Sequence, residues 1–274
     1  MKVICTLCPH HCALEEGKTG LCRARKNVQG TIISESYGKV TSIALDPIEK
    51  KPLNRFYPGG MILSVGSFGC NLRCPFCQNS DIATADSSIQ TQHVSPETLV
   101  NKALELTPRG NIGIAYTYNE PLVGYEYVLD CARLARENNI KNVVVTNGMI
   151  CEEPLLALLP YIDAMNIDLK AYTESFYKKL GGDLATVKNT IHLAAKACHV
   201  EVTTLIIPGE NDSVAEMDAL SSWLASIDSS IPLHISRFFP QWQMKDCAAT
   251  PVKTVYALAE VARKHLEYVY EGNC

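Results

Sequence analysis

Gly69-Cys70-Asn71-Leu72-Arg73-Cys74-Pro75-Phe76-Cys77-Gln78-Asn79 is the stretch on which the reading of this chain turns. It offers three cysteines in the pattern CxxxCxxC. A structural zinc site closes four positions around its ion, and ordinary iron–sulfur clusters take four protein thiolates. Three thiolates on a four-iron cubane leave one iron without a protein ligand. An open iron is what a cluster needs in order to bind a small molecule directly instead of only carrying electrons. The loop follows the apolar run Met61–Ser67, which reads as a strand, so the thiols stand at a strand's carboxyl end.

From Met61 onward, short apolar runs alternate with amphipathic stretches. The strand candidates are Met61–Ser67, Asn111–Thr117, Asn142–Asn147, Asp163–Leu169, Glu201–Pro208 and Pro232–Phe238, with a short final strand at Tyr268–Tyr270. Ser95-Pro96-Glu97 reads as a helix start: an N-cap, a proline at the first helical position and an acid in the first turn. Ser213–Ile227 carries Val214, Met217, Leu220 and Leu224 at helical spacing, and Pro251–Leu266 is a further helix. Six β–α units predict an α/β fold over residues 61–274, a partial (βα)6 TIM-like barrel, with a doubly wound sheet as the alternative. Barrel chemistry gathers at the carboxyl ends of the strands. Those ends carry Cys70, Asn119-Glu120, Thr146-Asn147-Gly148, Asp168 with Lys170, Pro208-Gly209 and Arg237–Pro240.

Residues 1–60 differ from the rest. They hold 9 basic and 5 acidic residues, net +4, against 16 and 24, net −8, in the remainder. They read as a small Cys-rich metal-binding module with a β-hairpin made from Thr31–Tyr37 and Lys39–Leu45 around Gly38. Cys5, Cys8, Cys12 and Cys22 make a second thiol group, spaced CxxCxxxCx9C. Four thiolates close either a zinc site or a second iron–sulfur cluster. Zinc is the preferred reading, because a segment with little core gains folding energy from a structural ion. Arg23, Arg25 and Lys26 read as a solvated basic face. Cys131, Cys151, Cys198, Cys247 and Cys274 are scattered and read as small apolar residues.

Of 274 residues, 47% are hydrophobic and 20% charged, so a packed core is expected. The net charge of −4 gives no support to a nucleic-acid binder that depends on overall positive charge. No apolar run reaches the ~18 residues of a membrane span, and Met1–Cys12 lacks the apolar region of a secretory signal. The expectation is a cytoplasmic chain, in whose reducing surroundings clustered cysteines are metal ligands.

The CxxxCxxC loop after the first strand resembles that of the radical S-adenosylmethionine (SAM) superfamily. The resemblance implies that Cys70, Cys74 and Cys77 hold a [4Fe–4S] cluster whose open iron takes the amino and carboxylate groups of SAM. It places Phe76 and Gln78 beside the cofactor. Thr117-Tyr118-Asn119-Glu120-Pro121 stands where the superfamily has a Gly-Gly-Glu-type motif; Glu120 and Pro121 are kept, and Tyr118 and Asn119 replace the glycines. Asn147, Asp168 and Lys170 match SAM-site positions of the glycyl-radical-enzyme activase branch. That branch has an acid before Thr-Asn-Gly where this chain has Val145, so its accessory cation site is not expected.

Further strings narrow the resemblance. Cys5-Thr6-Leu7-Cys8-Pro9-His10-His11-Cys12, Gly20-Leu21-Cys22-Arg23, Asp46-Pro47-Ile48-Glu49-Lys50-Lys51-Pro52-Leu53, Arg237-Phe238-Phe239-Pro240 and Tyr268–Asn273 are similar to the radical SAM member of the AmmeMemoRadiSam system, related to pyruvate formate-lyase activating enzymes. The chain departs from it at Cys274, where members continue into a further cysteine-containing tail. The resemblance implies an enzyme in which a low-potential donor reduces the cluster and SAM is cleaved to methionine and a 5′-deoxyadenosyl radical. That radical abstracts hydrogen from a substrate. It also implies Memo-like and AMMECR-like partner proteins. The alternatives are an activase acting on a partner's glycine, cleavage to a 3-amino-3-carboxypropyl radical, and a non-enzymatic iron–sulfur electron carrier. His234 and Trp242 are further candidates to line the substrate space, although a lone His or Trp is more often packed and satisfied.

Overall fold

The computed structural model describes residues 1–274. Its centre is one sheet of strands β1 (Ser42–Pro47), β2 (Met61–Gly66), β3 (Asn111–Tyr116), β4 (Lys141–Thr146), β5 (Ala164–Asp168), β6 (His199–Ile206), β7 (Leu233–Arg237) and β8 (Val269–Gly272), adjacent in that order. β1 runs antiparallel to β2, and every later pairing is parallel. β1 and β8 are the two free edges, so the barrel stays open.

Helices α1 (Pro96–Glu105), α2 (Tyr125–Glu137), α3 (Glu152–Leu158), α4 (Glu174–Lys179) with α5 (Leu184–Ala194), α6 (Val214–Ile227) and α7 (Val252–Ala262) follow the strands β2 to β7. The fold is the expected partial (βα)6 barrel, with Val269–Gly272 as one more parallel strand. Helix starts follow local chemistry: Ser95 Oγ accepts the Thr98 N–H at 3.2 Å, and Ser213 Oγ accepts the Glu216 N–H at 3.2 Å.

Parallel strands are covered on both faces, and alternate residues divide between two cores. Leu63, Val65, Ile114, Tyr116, Val144, Met165 and Ile167 face the helices in the main core. On the opposite face Ile62, Ala115, Val143 and Ala164 pack against Ile48, Leu53 and Phe56. The segment 48–56 therefore plugs the amino-terminal end of the barrel. Above the plug the same face turns polar, with Asn166, Asp168, Glu201, Thr203 and His234. Asn166 Nδ2 donates to the Pro52 carbonyl at 2.8 Å and fixes the plug to β5.

The expected hairpin of Thr31–Tyr37 with Lys39–Leu45 does not form. Thr31–Ser34 folds back on Arg25–Val28 through Gln29-Gly30, both at positive φ, the conformation a tight two-residue hairpin turn requires. Lys39–Val40 pairs with Gln92–His93, and Ser42–Pro47 adds to the free edge of β2 as β1. Residues 42–60, grouped with the first module on sequence grounds, thus contribute an edge strand and the barrel plug. A run of alternating residues shows that a strand forms; its partner depends on which edges are open.

Candidate active site

The three-cysteine loop leaves β2 through Ser67, Phe68 and Gly69. Asn119 staples its base: Oδ1 accepts the Ser67 N–H at 2.9 Å, and Nδ2 donates to the Gly69 carbonyl at 3.0 Å. The Arg73 N–H donates to the Leu180 carbonyl at 2.9 Å and pins the middle of the loop. Cys70 Sγ accepts the Leu72 N–H at 3.4 Å and Asn147 Nδ2 at 3.6 Å, two donors suited to a thiolate. Burial pushes the Cys70 thiol well up, aided by Glu120, and raises Cys74 to about 11 and Cys77 more modestly. Their own mutual repulsion adds to this, so a bound cation must displace protons here. Three thiols on one loop, with donors aimed at Cys70 Sγ, are a donor set that fits an iron–sulfur cluster with one open iron.

Side chains from the next three strand ends close around this loop. Glu120 is 4% exposed. Its Oε1 accepts Thr146 Oγ1 at 2.7 Å and the Leu122 N–H at 3.0 Å, and its Oε2 accepts the Asn147 N–H at 2.8 Å. Oε1 is thereby fully used, and Oε2 keeps one lone pair for an incoming donor. Burial raises the Glu120 carboxyl to about 7 against these three donors. Asn147 Nδ2 also donates to Asn71 Oδ1 at 2.9 Å. Lys170 Nζ lies 2.7 Å from Asp168 Oδ2 at the end of β5. Burial opposes the Lys170 charge, yet Asp168 and Cys74 hold its pKa above the ordinary lysine value. The pair thus places a fixed cation beside the thiols.

The remaining candidates take varied settings. Phe76 is buried in the main core, stacked on Phe176 with ring centroids 6.2 Å apart. Gln78 is exposed beside Cys77. Trp242, at φ +44°, lines a cavity of about 150 Å³ with Cys70, Arg23 and Arg73. His234 is instead satisfied at depth: its Nε2 lies 2.6 Å from Glu201 Oε2, and its ring stacks on Tyr270.

A model of the radical SAM superfamily matches residues 64–220, more than half of the sequence. The chain belongs to the radical SAM superfamily. It is therefore an enzyme of SAM-dependent radical chemistry, and an electron-carrier role is set aside. It is 41% identical over 276 aligned residues to an uncharacterised protein of Methanocaldococcus jannaschii, spanning 99% of this chain and 81% of that one. It is 27% identical over 156 residues to a pyruvate formate-lyase-activating enzyme of Clostridium pasteurianum, spanning 52% of this chain and 63% of that one. Among solved structures, a domain of the pyruvate-formate lyase-activating enzyme from Bacteroides vulgatus shares the fold at TM-score 0.52 and 14% identity, over 58% of this chain and 98% of that one. A radical SAM methyltransferase from Sphaerobacter thermophilus does so at TM-score 0.57 and 16% identity, over 79% and 67%. No helix of this radical SAM enzyme is long and apolar enough to cross a membrane.

Sequence reasoning passed over several residues that shape the site. Asn71 and Asn79 sit inside the quoted loop; Asn71 Nδ2 donates to the Met149 carbonyl at 2.7 Å, and Asn79 Nδ2 to the Tyr118 carbonyl at 2.7 Å. Tyr118 takes a left-handed φ of +72°, a conformation costly for a bulky residue. Its hydroxyl donates to Asp46 Oδ2 at 2.7 Å, and Lys51 Nζ lies 4.6 Å from its ring centroid. The Tyr118 in place of a family glycine was the available signal.

Proposed function

We propose that this enzyme cleaves SAM reductively to a 5′-deoxyadenosyl radical, which takes a hydrogen atom from a substrate held against the polar face of the barrel. The observation that carries the reading is the set of three thiols at the end of β2 facing the Asp168–Lys170 pair at the end of β5. Cys70, Cys74 and Cys77 would hold a [4Fe–4S] cluster, which when bound and reduced would supply the electron for splitting a carbon–sulfur bond of SAM. Lys170 offers its ammonium to the methionine carboxylate, and Asp168 fixes that ammonium in place. The remaining lone pair of Glu120 Oε2 is the acceptor for the methionine ammonium, and Glu120 meanwhile locks the Asn147 backbone. Asn147 donates toward Cys70 and steadies its thiolate. Asn119 holds the loop base, Phe76 anchors the loop in the core, and Gln78 borders the cofactor edge.

A low-potential one-electron donor is required. The first forty residues are assigned as a metal-binding module lying on the loop, and Memo-like and AMMECR-like proteins as partners in a cytoplasmic setting. The similarity to a pyruvate formate-lyase-activating enzyme supports a second reading, hydrogen abstraction from a glycine of a partner enzyme.

Anaerobic reconstitution with iron and sulfide, reduction, addition of SAM and mass spectrometry of the products tests the main reading. 5′-Deoxyadenosine is expected, and it disappears in Cys74→Ala. Methylthioadenosine in its place would mean cleavage toward the 3-amino-3-carboxypropyl radical. Retained 5′-deoxyadenosine formation in Cys74→Ala overturns the assignment. A doublet radical signal on co-incubation with a candidate partner enzyme marks the activase reading.

A further inference from the structure

Lys170 stands just beyond the end of β5, where the sheet no longer supplies partners. Its backbone N–H and C=O pair with no other backbone group. Two buried side chains take them up instead. The Lys170 N–H donates to the Tyr177 hydroxyl of α4 at 3.0 Å, and Asn211 Nδ2 donates to the Lys170 carbonyl at 2.8 Å. Tyr177 is 1% exposed and Asn211 3%. Further on, the Tyr172 N–H donates to Glu216 Oε1 of α6 at 2.7 Å. The chain leaving β5 is thus held by side chains from three other parts of the fold.

Asn211 ties Lys170 to the next strand. Its Oδ1 accepts the Ile207 N–H at 2.7 Å, and its second amide hydrogen goes to the Leu205 carbonyl of β6 at 2.9 Å. Both donors of the amide are therefore used. Tyr177 ties Lys170 to the cysteine loop. Its neighbour Phe176 stacks on Phe76, and the Leu180 carbonyl in the turn after α4 accepts the Arg73 N–H at 2.9 Å. The Gly182 N–H donates to the Tyr177 carbonyl at 2.8 Å. A Cβ on Gly182 would stand 2.7 Å from Leu72 Cδ2 and 3.0 Å from Tyr177 Cδ1, so the tyrosine ring and the loop close on the same point.

We infer that Tyr177 and Asn211 are positioning residues for SAM: they fix the backbone of Lys170, and Tyr177 sets its distance from the cysteine loop. A lysine side chain is long and freely rotating, so the Asp168 contact at its tip places the ammonium only if its origin is fixed as well. Asp168 takes one of the three ammonium hydrogens, which leaves two for a ligand. A ligand that must meet the loop and the ammonium together is sensitive to their separation. The inference rests on the reading of Lys170 as the partner of the methionine carboxylate.

The test is a double-mutant cycle on SAM affinity, read by calorimetric titration of the reconstituted full chain, with iron content as the control. Tyr177→Phe keeps the buried ring and removes only the acceptor of the Lys170 N–H. It should raise the SAM dissociation constant about twofold to tenfold, the range of one neutral hydrogen bond, with iron content unchanged. In a Lys170→Met background the same substitution should change SAM affinity no further, because Tyr177 acts through Lys170. A merely structural role would give the same loss in both backgrounds. That result, or no loss in either, overturns the inference and leaves the reading of Lys170 intact. SAM affinity unchanged in Lys170→Met alone overturns that reading, and the inference with it. If Tyr177→Phe does not fold, Asn211→Ser goes through the same cycle with the same deciding outcomes.

Discussion

Gly69 is seated directly on the backbone of Cys22. A Cβ placed on Gly69 would stand 2.5 Å from the Cys22 carbonyl oxygen and 3.0 Å from the Ala24 Cβ, and Gly69 itself takes φ +89°. The first residue of one thiol loop and the last cysteine of the other group are thus in contact. Space and backbone conformation both demand glycine here. Gly69→Ala is expected to destabilise the protein by about 1–3 kcal/mol through strain and overpacking. It should lower iron content at the same time, because Gly69 leads directly into Cys70. Thermal unfolding and iron analysis on the same preparation check this; a stable, iron-replete Gly69→Ala protein contradicts it.

Lys170 and Asp168 form a 2.7 Å ion pair at the mouth of the barrel. If Lys170 holds the methionine carboxylate, Lys170→Gln removes a charge-assisted hydrogen bond. That interaction amounts to about 1.5–3 kcal/mol, so the SAM dissociation constant should rise roughly tenfold to a hundredfold. Iron content should not change, since Lys170 is no ligand. Calorimetric titration of the reconstituted protein with SAM is the measurement.

Glu120 has a carboxyl raised to about 7 by burial. The folded state therefore binds its proton more tightly than the unfolded chain does. Stability from this group is present at acidic pH and declines as pH rises from about 4.5 through 7, by a total of about 3 kcal/mol. Comparing the cluster-free protein with Glu120→Gln between pH 5.5 and 8 isolates the effect. Wild type should lose more stability over that interval than the variant.

Glu201 behaves in the opposite sense. It is fully buried and accepts from His199 at 2.9 Å, His234 at 2.6 Å, Asn54 N–H at 3.0 Å and Arg55 N–H at 2.7 Å. Burial raises its carboxyl, but these four donors outweigh burial and set it at about 2. Its stabilisation is present above the unfolded value near 4.5 and is lost as pH falls toward 2, amounting to about 3 kcal/mol. Glu201→Ala should cost about that much at pH 7 and loosen the plug at residues 54–55. Denaturant unfolding at pH 7 and pH 3 measures both; equal losses at the two values would count against the assignment.

The cysteine loop, the six strand ends and the helix starts at Ser95 and Ser213 were readable because each depends on neighbours in sequence. Thiol spacing sets what one loop can chelate, and periodicity sets which faces are buried. The strand candidate Met61–Ser67 and the observed β2 differ by a single residue for that reason. Arg25, His234 and the segment 42–60 were not readable in the same way. Arg25 looks like any basic residue until Glu126, about a hundred residues later, is brought to it. His234 looks like a candidate for the substrate space until Glu201 takes it up from the adjacent strand.

The sequence by itself determined the chemistry: three thiols on one loop, acid and lysine at later strand ends, and an α/β alternation that brings those ends together. The tertiary structure decided what each polar group still has free to offer. It filled one oxygen of Glu120, fixed Lys170 on Asp168, paired Arg25 with Glu126, and laid Cys22 on Gly69. Ligand spacing and periodicity are local and survive in the linear chain. Desolvation and hydrogen-bond saturation come from residues far apart in sequence, so they exist only once the chain has closed on itself.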